Sequence, residues 1–253
     1  MLNYNLSKQV KIRRTMHIIL LLISVIAIPY LFFLGTYLLS DYPSAVSELK
    51  KFKKACARND IAVIKHLLNE QNFNPNRATI GKLTGMHIAC RHGHIEAVET
   101  LLSHPDIDPN QVNSHGDTPF YTACINNRYK LVSHLLLNER FKVNQPNKKQ
   151  TPFYAACHQA TIHGFNTFKP TIMILLKSER IAVNSTNNQL GWTALILASH
   201  YGENELVKAL LESERIDKQI IAADGHTNAE NTAKNLGHTN IAEMIEQTYT
   251  SIS

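Results

Sequence analysis

The chain has 253 residues, of which 44% are apolar, and a formal charge of +6 at pH 7. This length and composition allow one large domain or a repeat array with an extra segment, and they exclude a collagen-like fibre and broad disorder. Residues 1–54 hold eight of the 26 Lys and Arg residues but two of the 20 acidic ones, so residues 55–253 are neutral overall. The net charge therefore gives no argument for nucleic acid as a partner.

The first predicted element is an apolar segment at residues 18–39, which holds no charged side chain. As a helix it would be about 33 Å long, against roughly 30 Å of bilayer hydrocarbon. A cleaved signal peptide is the alternative, because residues 1–17 are basic and Val25-Ile26-Ala27 resembles a cleavage site. The apolar run continues well beyond Ala27, so we predict a retained single-pass membrane helix and a juxtamembrane linker over 40–49.

Basic residues flank the predicted span on both sides and leave its orientation open. They could contact anionic lipid headgroups, or the second group could be the solvated face of the first helix of the following domain. The membrane-proximal basic residues are Lys8, Lys11, Arg13, Arg14, Lys50, Lys51, Lys53 and Lys54.

From residue 50 onward the sequence repeats with a period of 33 or 34 residues, marked by an alanine that usually precedes a cysteine. The alanines are Ala55, Ala89, Ala123, Ala156, Ala198 and Ala233. Apolar residues at fixed offsets form two stripes in each unit, which predicts a pair of helices. Gly or Asn stands four residues after the alanine in the unbroken units, where a left-handed residue would end the first helix. These positions are Asn59, Gly93, Asn127, Gly202 and Gly237.

Threonines mark the predicted start of each first helix, where a hydroxyl caps the free N–H groups. They are Thr84, Thr118, Thr151, Thr193 and Thr227. With these landmarks, segments such as TGMHIACRHGHIEAVETLL and GWTALILASHYGENELVKALL resemble ankyrin repeats, over about six repeats in residues 50–248. The resemblance implies an all-α fold, an ankyrin-repeat solenoid of stacked helix-turn-helix units, here preceded by a single membrane-spanning helix and followed by a polar tail at 249–253.

The fourth repeat departs from this pattern by an insertion within residues 158–171, which we expect to be a longer loop. A longer loop on a rigid array is a common place for function. Phe165 and Phe168 are its apolar residues, and they either dock a partner or fold back onto the array. We favour folding back.

The segment MHIACRHGH at residues 86–94 raises the question of a zinc site, because it holds three histidines and a cysteine. In the repeat register, His87 occupies the His of Thr-Pro-Leu-His, which braces a turn in the resembling family, and His94 occupies the Gly-His position. Cys90 shares its register with Cys56, Cys124 and Cys157. We therefore predict packing and turn roles, with no metal and no cofactor.

The four cysteines are predicted to be unpaired. Stacked helices lie roughly 8–10 Å apart, whereas a disulfide needs Cα atoms within about 7 Å. Free thiols persist best in a reducing compartment, which favours a cytosolic location for the repeats. This location conflicts with the orientation that the four cations just before the span favour, in which the N-terminus lies inside. A bacterial protein delivered into a host membrane would satisfy both constraints.

The resemblance implies a protein partner, bound along the finger loops and the first helices. The candidate partner-binding residues are His92, Asn126, Lys148, His158, Trp192 and Tyr201, with Phe165 and Phe168 of the insertion. The leading hypothesis is a membrane-anchored scaffold without catalysis, because the sequence has no Gly-rich phosphate loop, Gly-x-Ser-x-Gly, His-Glu-x-x-His or Cys-x-x-Cys motif. The alternatives are a translocated bacterial effector, suggested by the polar end EQTYTSIS, and an enzyme.

Overall fold

The computed structural model describes residues 42–250 except 72, 79 and 188. By internal contacts the chain divides into two units, residues 1–51 and residues 52–253. The predicted membrane segment at 18–39 lies outside the described residues, as do Lys8, Lys11, Arg13 and Arg14. Among the helices that are described, none is both long and apolar enough to cross a bilayer.

The described residues form twelve α-helices and no strand. The helices are α1 Tyr42–Arg58, α2 Ile61–Leu68, α3 Gly85–His92, α4 Ile95–Leu102, α5 Pro119–Ile125, α6 Tyr129–Leu136, α7 Pro152–His163, α8 Phe165–Lys177, α9 Ala194–Tyr201, α10 Asn204–Leu211, α11 Ala229–Asn235 and α12 Thr239–Thr250. A short 3-10 turn occupies Ile80–Lys82. Since α1 begins at Tyr42, most of the segment expected to be a juxtamembrane linker is helical.

The array has two layers. The first helices of repeats two to six pack in sequence, α3 on α5, α5 on α7, α7 on α9 and α9 on α11. Second helices form the other layer, in which α2 packs on α4, α8 on α10 and α10 on α12. Long loops that follow the second helices project from the array as fingers. This arrangement confirms the predicted stack of helix-turn-helix units.

A left-handed residue separates the two helices of each regular repeat, as the sequence predicts. Asn59 has φ 58° and Asn127 has φ 54°, and the glycines at 93, 202 and 237 have φ between 70° and 78°. Asparagine adopts the left-handed conformation at a higher energy than glycine does, but its side-chain amide can form hydrogen bonds. The Asn127 amide donates to the Thr167 carbonyl at 2.6 Å and accepts from Thr171 Oγ1 at 2.6 Å, both in α8.

Threonine caps the first helices of four repeats, as predicted. The side chains of Thr84, Thr118, Thr151 and Thr193 each accept from the backbone N–H three residues on. The expectation for Thr227 was wrong, because the last repeat has one extra residue and Asn228 caps α11 instead, accepting from Asn231 N at 2.8 Å. Thr227 Oγ1 donates to the Asp224 carboxylate within the finger.

The insertion in the fourth repeat is not a longer loop. It lengthens both helices, so that α7 has 12 residues and α8 has 13, and the two meet at Gly164. Phe165 and Phe168 are 5% and 4% exposed, because they lie on the face of α8 that packs into the core. The interpretation that they fold back is confirmed, and the insertion extends the core of the array.

Three arginines, one in each of three loops that follow second helices, link their loop to the end of the second helix in the preceding repeat. Arg180 donates from Nη1 to the carbonyls of Leu136 at 2.7 Å and Asn138 at 3.0 Å, and from Nη2 to Phe141 O at 2.9 Å. The last carbonyls of a helix have no partner within the helix, and a guanidinium fork can satisfy several of them. Arg215 makes the same three hydrogen bonds one repeat later, and Arg140 makes two of them, to the carbonyls of Leu102 and Ile107.

Asparagines form a second set of links, one step further along each loop. Asn144 shows the pattern, because its Nδ2 donates to Arg180 O at 2.7 Å and its Oδ1 accepts from Ala182 N at 2.8 Å. Both partners lie in the next repeat, so the side chain replaces the backbone pairing that a strand would supply. The asparagines of this ladder are Asn76, Asn110, Asn144 and Asn184.

Four cysteines fill one register of the first-helix layer, and each is free and fully buried. Burial raises the pKa of the Cys56 thiol to about 12 and raises the pKa values of the other three as well. These groups stay neutral at physiological pH and are poor nucleophiles, since the thiolate is the reactive form. They serve as small apolar residues in the core.

In the fifth repeat this register holds Ser199, whose buried hydroxyl has no hydrogen-bond partner among the described residues. A buried hydroxyl without a partner costs about 1 kcal/mol or more. We therefore expect Ser199→Ala to raise the free energy of unfolding by about 1 kcal/mol in urea denaturation, beyond any helix-propensity gain. Ser133→Ala, on the exposed face of α6, measures that gain alone. Equal effects of the two substitutions would contradict the prediction.

Candidate partner-binding surface

We call the exposed surface formed by four finger loops and the C-terminal ends of the first helices the finger surface. The finger loops are residues 111–116, 145–150, 185–191 and 218–225. Each finger is a short loop folded around one side chain. Asn113 Oδ1 accepts from the N–H groups of His115 at 2.8 Å and Asp117 at 3.0 Å. Asn147, Asn187 and Asp224 hold the next three fingers in the same way.

Neighbouring fingers are linked to each other near their tips. Asn147 Nδ2 donates to Asp117 Oδ1 at 2.8 Å, and Lys148 Nζ donates to the Ser114 carbonyl at 3.1 Å. The backbones also approach closely, because a Cβ added at Gly191 would lie 2.6 Å from Ala223 N, and its φ of +69° already disfavours other residues. The backbone of the finger surface is therefore fixed before any partner arrives.

A second connection joins the fingers to the first helices. Asn187 Nδ2 donates to the Tyr154 hydroxyl at 3.0 Å, and Gln150 Nε2 donates to the Tyr121 hydroxyl at 3.3 Å. Burial raises the pKa of each tyrosine to about 12, so both hydroxyls remain protonated. Fingers and first helices thus form one connected surface.

Two of the predicted binding residues are histidines of first helices, His92 at the end of α3 and His158 in the middle of α7. His92 is exposed, and its ring stacks on His94 with centroids 5.6 Å apart. His158 is half-buried, because it lies two residues after its repeat's alanine whereas His92 lies three residues after. Partial burial lowers both pKa values, and the charges of nearby side chains lower them further.

The predicted residues Trp192 and Tyr201 lie together in the fifth repeat. The ring of His200 is 4.8 Å from that of Trp192 and 5.1 Å from that of Tyr201, measured between centroids. Tyr201 is 53% exposed and Trp192 is half-buried. The sequence predicted a binding role for the two outer rings but not for His200, the residue that joins them. Leu190, which is 50% exposed in the adjacent finger, was also missed.

The other predicted residues divide by exposure. Lys148 is exposed on its finger. The adjacent Lys149 is also exposed and was not among the predicted binding residues. Asn126 is half-buried, and its Nδ2 donates to the Thr122 carbonyl at 2.8 Å, so it serves the end of α5. Phe165 and Phe168 are in the core, which corrects their assignment as partner-binding residues.

The second membrane-proximal basic group is mostly exposed. Lys50, Lys51 and Lys54 are exposed on α1. Lys53 is the exception at 8% exposure, and it donates to the Leu83 carbonyl. Burial lowers its pKa to about 8. It therefore belongs to the packing of the first two repeats.

Two of the three histidines in the segment 86–94, His87 and His94, make structural hydrogen bonds. His87 Nδ1 accepts from Thr84 N at 3.3 Å and its Nε2 lies 2.9 Å from the Asp117 carbonyl, so it joins its own helix start to the next finger. His94 Nε2 lies 3.0 Å from Ala57 O in the preceding repeat. Across the part of the chain that the structure describes, no group of three or more His, Cys, Asp or Glu side chains is placed to hold a metal ion.

These repeats match the family model described as "Ankyrin repeats (3 copies)" at residues 52–147, 134–224 and 157–248. The chain belongs to the ankyrin repeat family. Ankyrin repeats are scaffolds for binding protein partners, and their proteins are typically non-catalytic. No curated protein sequence matches this ankyrin chain.

Solved structures share the ankyrin fold at low sequence identity. The ankyrin repeat domain of Bcl-3 has a TM-score of 0.69 at 16% identity, covering 78% of this chain and 85% of that one. An ankyrin repeat domain from Acinetobacter baumannii has a TM-score of 0.61 at 22% identity, with coverage of 78% and 96%. A chain from the complex of a predatory endopeptidase with its immunity protein, from Bdellovibrio bacteriovorus, has a TM-score of 0.58 at 21% identity, with coverage of 78% and 97%.

Proposed function

We propose that this ankyrin protein is a membrane-tethered scaffold that holds a protein partner on its finger surface, without catalysis. The observation that carries the proposal is the contrast between backbone and side chains on that surface. Asn113, Asn147 and Asn187 hold the finger backbones, whereas side chains such as Lys149 and Tyr201 are exposed to solvent. A surface that is ordered before binding loses little conformational entropy when a partner docks.

The tether is the apolar segment at residues 18–39, proposed from the sequence. It would confine the array to a bilayer, where the partner's effective concentration is higher, and weak contacts would then suffice. The buried free thiols are compatible with exposure of the array to a reducing compartment. Delivery of the protein into a host membrane by a bacterium would change the compartment but not the binding surface.

Photo-crosslinking in cells that express the intact chain tests this proposal. We expect a photoreactive phenylalanine at Tyr201, on the finger surface, to give a discrete crosslinked species in the membrane fraction. The same group at Tyr129, which is 39% exposed on a second helix, is the matched control and should give none. Crosslinks from position 129 and not from 201 would contradict the proposed surface. Recovery of the chain in the soluble fraction would contradict the tether.

A further inference from the structure

Charged side chains are divided unequally between the two layers of the array. Residues 80–217 hold 12 acidic residues, and 11 of these lie in the second helices and the loops directly after them, residues 93–110, 128–143, 164–184 and 203–217. The fingers and first helices, residues 80–92, 111–127, 144–163 and 185–202, hold one acidic residue against four basic ones and six histidines. The net charge of residues 55–253 is zero, so it does not reveal that the acidic residues lie mainly on the second-helix side.

Within residues 80–217 the single acidic residue of the finger side is Asp117, and it is already used within the array. The fourth finger adds Lys218 and Asp224, and the Asp224 carboxylate accepts from the N–H groups of His226 and Thr227 and from Thr227 Oγ1. Asp117 Oδ1 accepts from Asn147 Nδ2 at 2.8 Å and its Oδ2 accepts from Asn113 Nδ2 at 3.0 Å. Its carbonyl oxygen lies 2.9 Å from His87 Nε2. Asp117 is half-buried and organises two fingers, so it does not offset the cations around it.

The cations of the finger side are exposed and not neutralised by the array. Arg91, Lys148 and Lys149 are exposed, and within residues 42–250 none of the three takes part in an ion pair. The ion pairs that do form lie elsewhere, such as Arg215 with Glu179 at 3.5 Å in the loops after two second helices. An acidic segment on the finger side would therefore meet cations that no carboxylate of the described residues already pairs.

Apolar side chains are exposed one finger further along, in the fifth repeat. Leu190 and Tyr201 are 50% and 53% exposed, and Trp192 lies against His200 between them in the sequence. Aromatic residues of this kind supply most of the binding energy at protein interfaces, and charges around them guide the partner and set its register. The finger side thus combines an apolar anchor site with a one-sign electrostatic field.

We infer that the finger surface binds an acidic polypeptide segment that carries an apolar anchor residue, seated by Trp192 and Tyr201 with its carboxylates toward Lys148 and Lys149. This inference rests on the proposed function and names the chemistry of its partner. Four repeats at about 10 Å per step span roughly 30 Å, which an extended segment of about ten residues covers. Nucleic acid fits less well, because four fixed cations over that length are few against one phosphate charge per 1.7 Å of duplex.

The test uses the full chain in zwitterionic nanodiscs and a labelled twelve-residue peptide of alternating Glu and Ser with one central Leu. Fluorescence anisotropy measures its binding, and emission from Trp192, the one tryptophan of the sequence, reports contact at the anchor site. The probes for comparison are the same peptide with Lys in place of Glu, and a twelve-base-pair DNA duplex. Lys148→Glu with Lys149→Glu reverses the finger charges. Lys130→Glu with Lys177→Glu makes the same charge change on exposed second-helix positions.

We expect the acidic peptide to bind, to shift the Trp192 emission, and to lose at least tenfold in affinity with the finger variant but less than twofold with the second-helix variant. Equal losses in the two variants, tighter binding of the duplex, or no binding of the acidic peptide would overturn the inference. The proposed function is judged separately by crosslinking from position 201. A crosslink there without acidic-peptide binding would leave the scaffold standing and reject the partner chemistry.

Discussion

Replacing Arg180 by Ala is expected to lower the free energy of unfolding by about 3 kcal/mol. The guanidinium donates to three carbonyl oxygens, of Leu136, Asn138 and Phe141, at 2.7, 3.0 and 2.9 Å. A hydrogen bond from a charged donor contributes about 1.5–3 kcal/mol, and because Arg180 is only half-buried we take about 1 kcal/mol for each of the three. Their loss also leaves partly buried carbonyls with fewer partners. Urea denaturation followed by circular dichroism measures the change.

The control variants for Arg180 separate its geometry from its charge. Arg180→Lys keeps the charge but not the planar fork, so we expect it to recover less than half of the loss. Lys177→Ala removes a cation from an exposed site at the end of α8, three residues before Arg180, and should change the stability by less than about 0.5 kcal/mol. Full rescue by lysine would show that the positive charge alone stabilises the helix end.

His87 is the second residue for which we expect a large effect, and its effect depends on pH. Its side chain is fully buried, and its two ring nitrogens pair with Thr84 and with the Asp117 carbonyl. His87→Ala removes both links and leaves a cavity, so we expect a loss of about 3 kcal/mol at pH 7.5. The neutral ring fits the site, because one nitrogen accepts while the other donates.

The pH dependence follows from the direction of the shift. Burial lowers the pKa of His87 below its usual 6.5. As the pH falls below 6.5, the unfolded chain takes up a proton at this position while the folded chain does not, so stability falls with decreasing pH. The contribution is complete above pH 6.5 and is lost progressively as the pH drops towards the lower folded-state pKa. Urea titrations at pH 5, 6, 7 and 8 measure it.

The comparison between wild type and His87→Ala isolates this contribution from other groups. The gap in stability between them should be largest at pH 7–8 and should narrow by pH 5. His92→Ala is the control, since His92 is exposed and makes no hydrogen bond to another repeat among the residues that the structure describes, so its removal should change the stability much less at every pH. A gap for His87→Ala that stays constant from pH 5 to pH 8 would contradict the buried neutral state.

Much of the fold could be predicted from local signals in the sequence. The left-handed positions at Asn59, Gly93 and Asn127 follow from the residue types that tolerate that conformation. Four of five threonine caps were predicted correctly because a cap depends on its own helix start. The exception, Thr227, failed because one extra residue moved the helix start to Asn228.

The structure of the insertion in the fourth repeat could not be predicted from local sequence signals. A stretch of extra residues between two helices reads as a loop, and the sequence alone does not say that both helices will lengthen. Burial of Phe165 and Phe168 against the neighbouring layer stabilises the added turns, and that energy exists only in the packed array. The aromatic cluster of the candidate surface could not be predicted from the sequence for the same reason. Trp192 and Tyr201 were predicted separately, and the ring of His200 joins them only in the tertiary structure.

The sequence by itself determined the repeat, its period, the paired helices, the caps and the left-handed turns, because each of these depends on residues within one unit. The tertiary structure decided what passes between units: the arginine clamps, the asparagine ladder, the role of His87 and the concentration of acidic residues on one layer. These features join residues about 30 to 44 positions apart, and the chain brings such residues together only when the repeats stack.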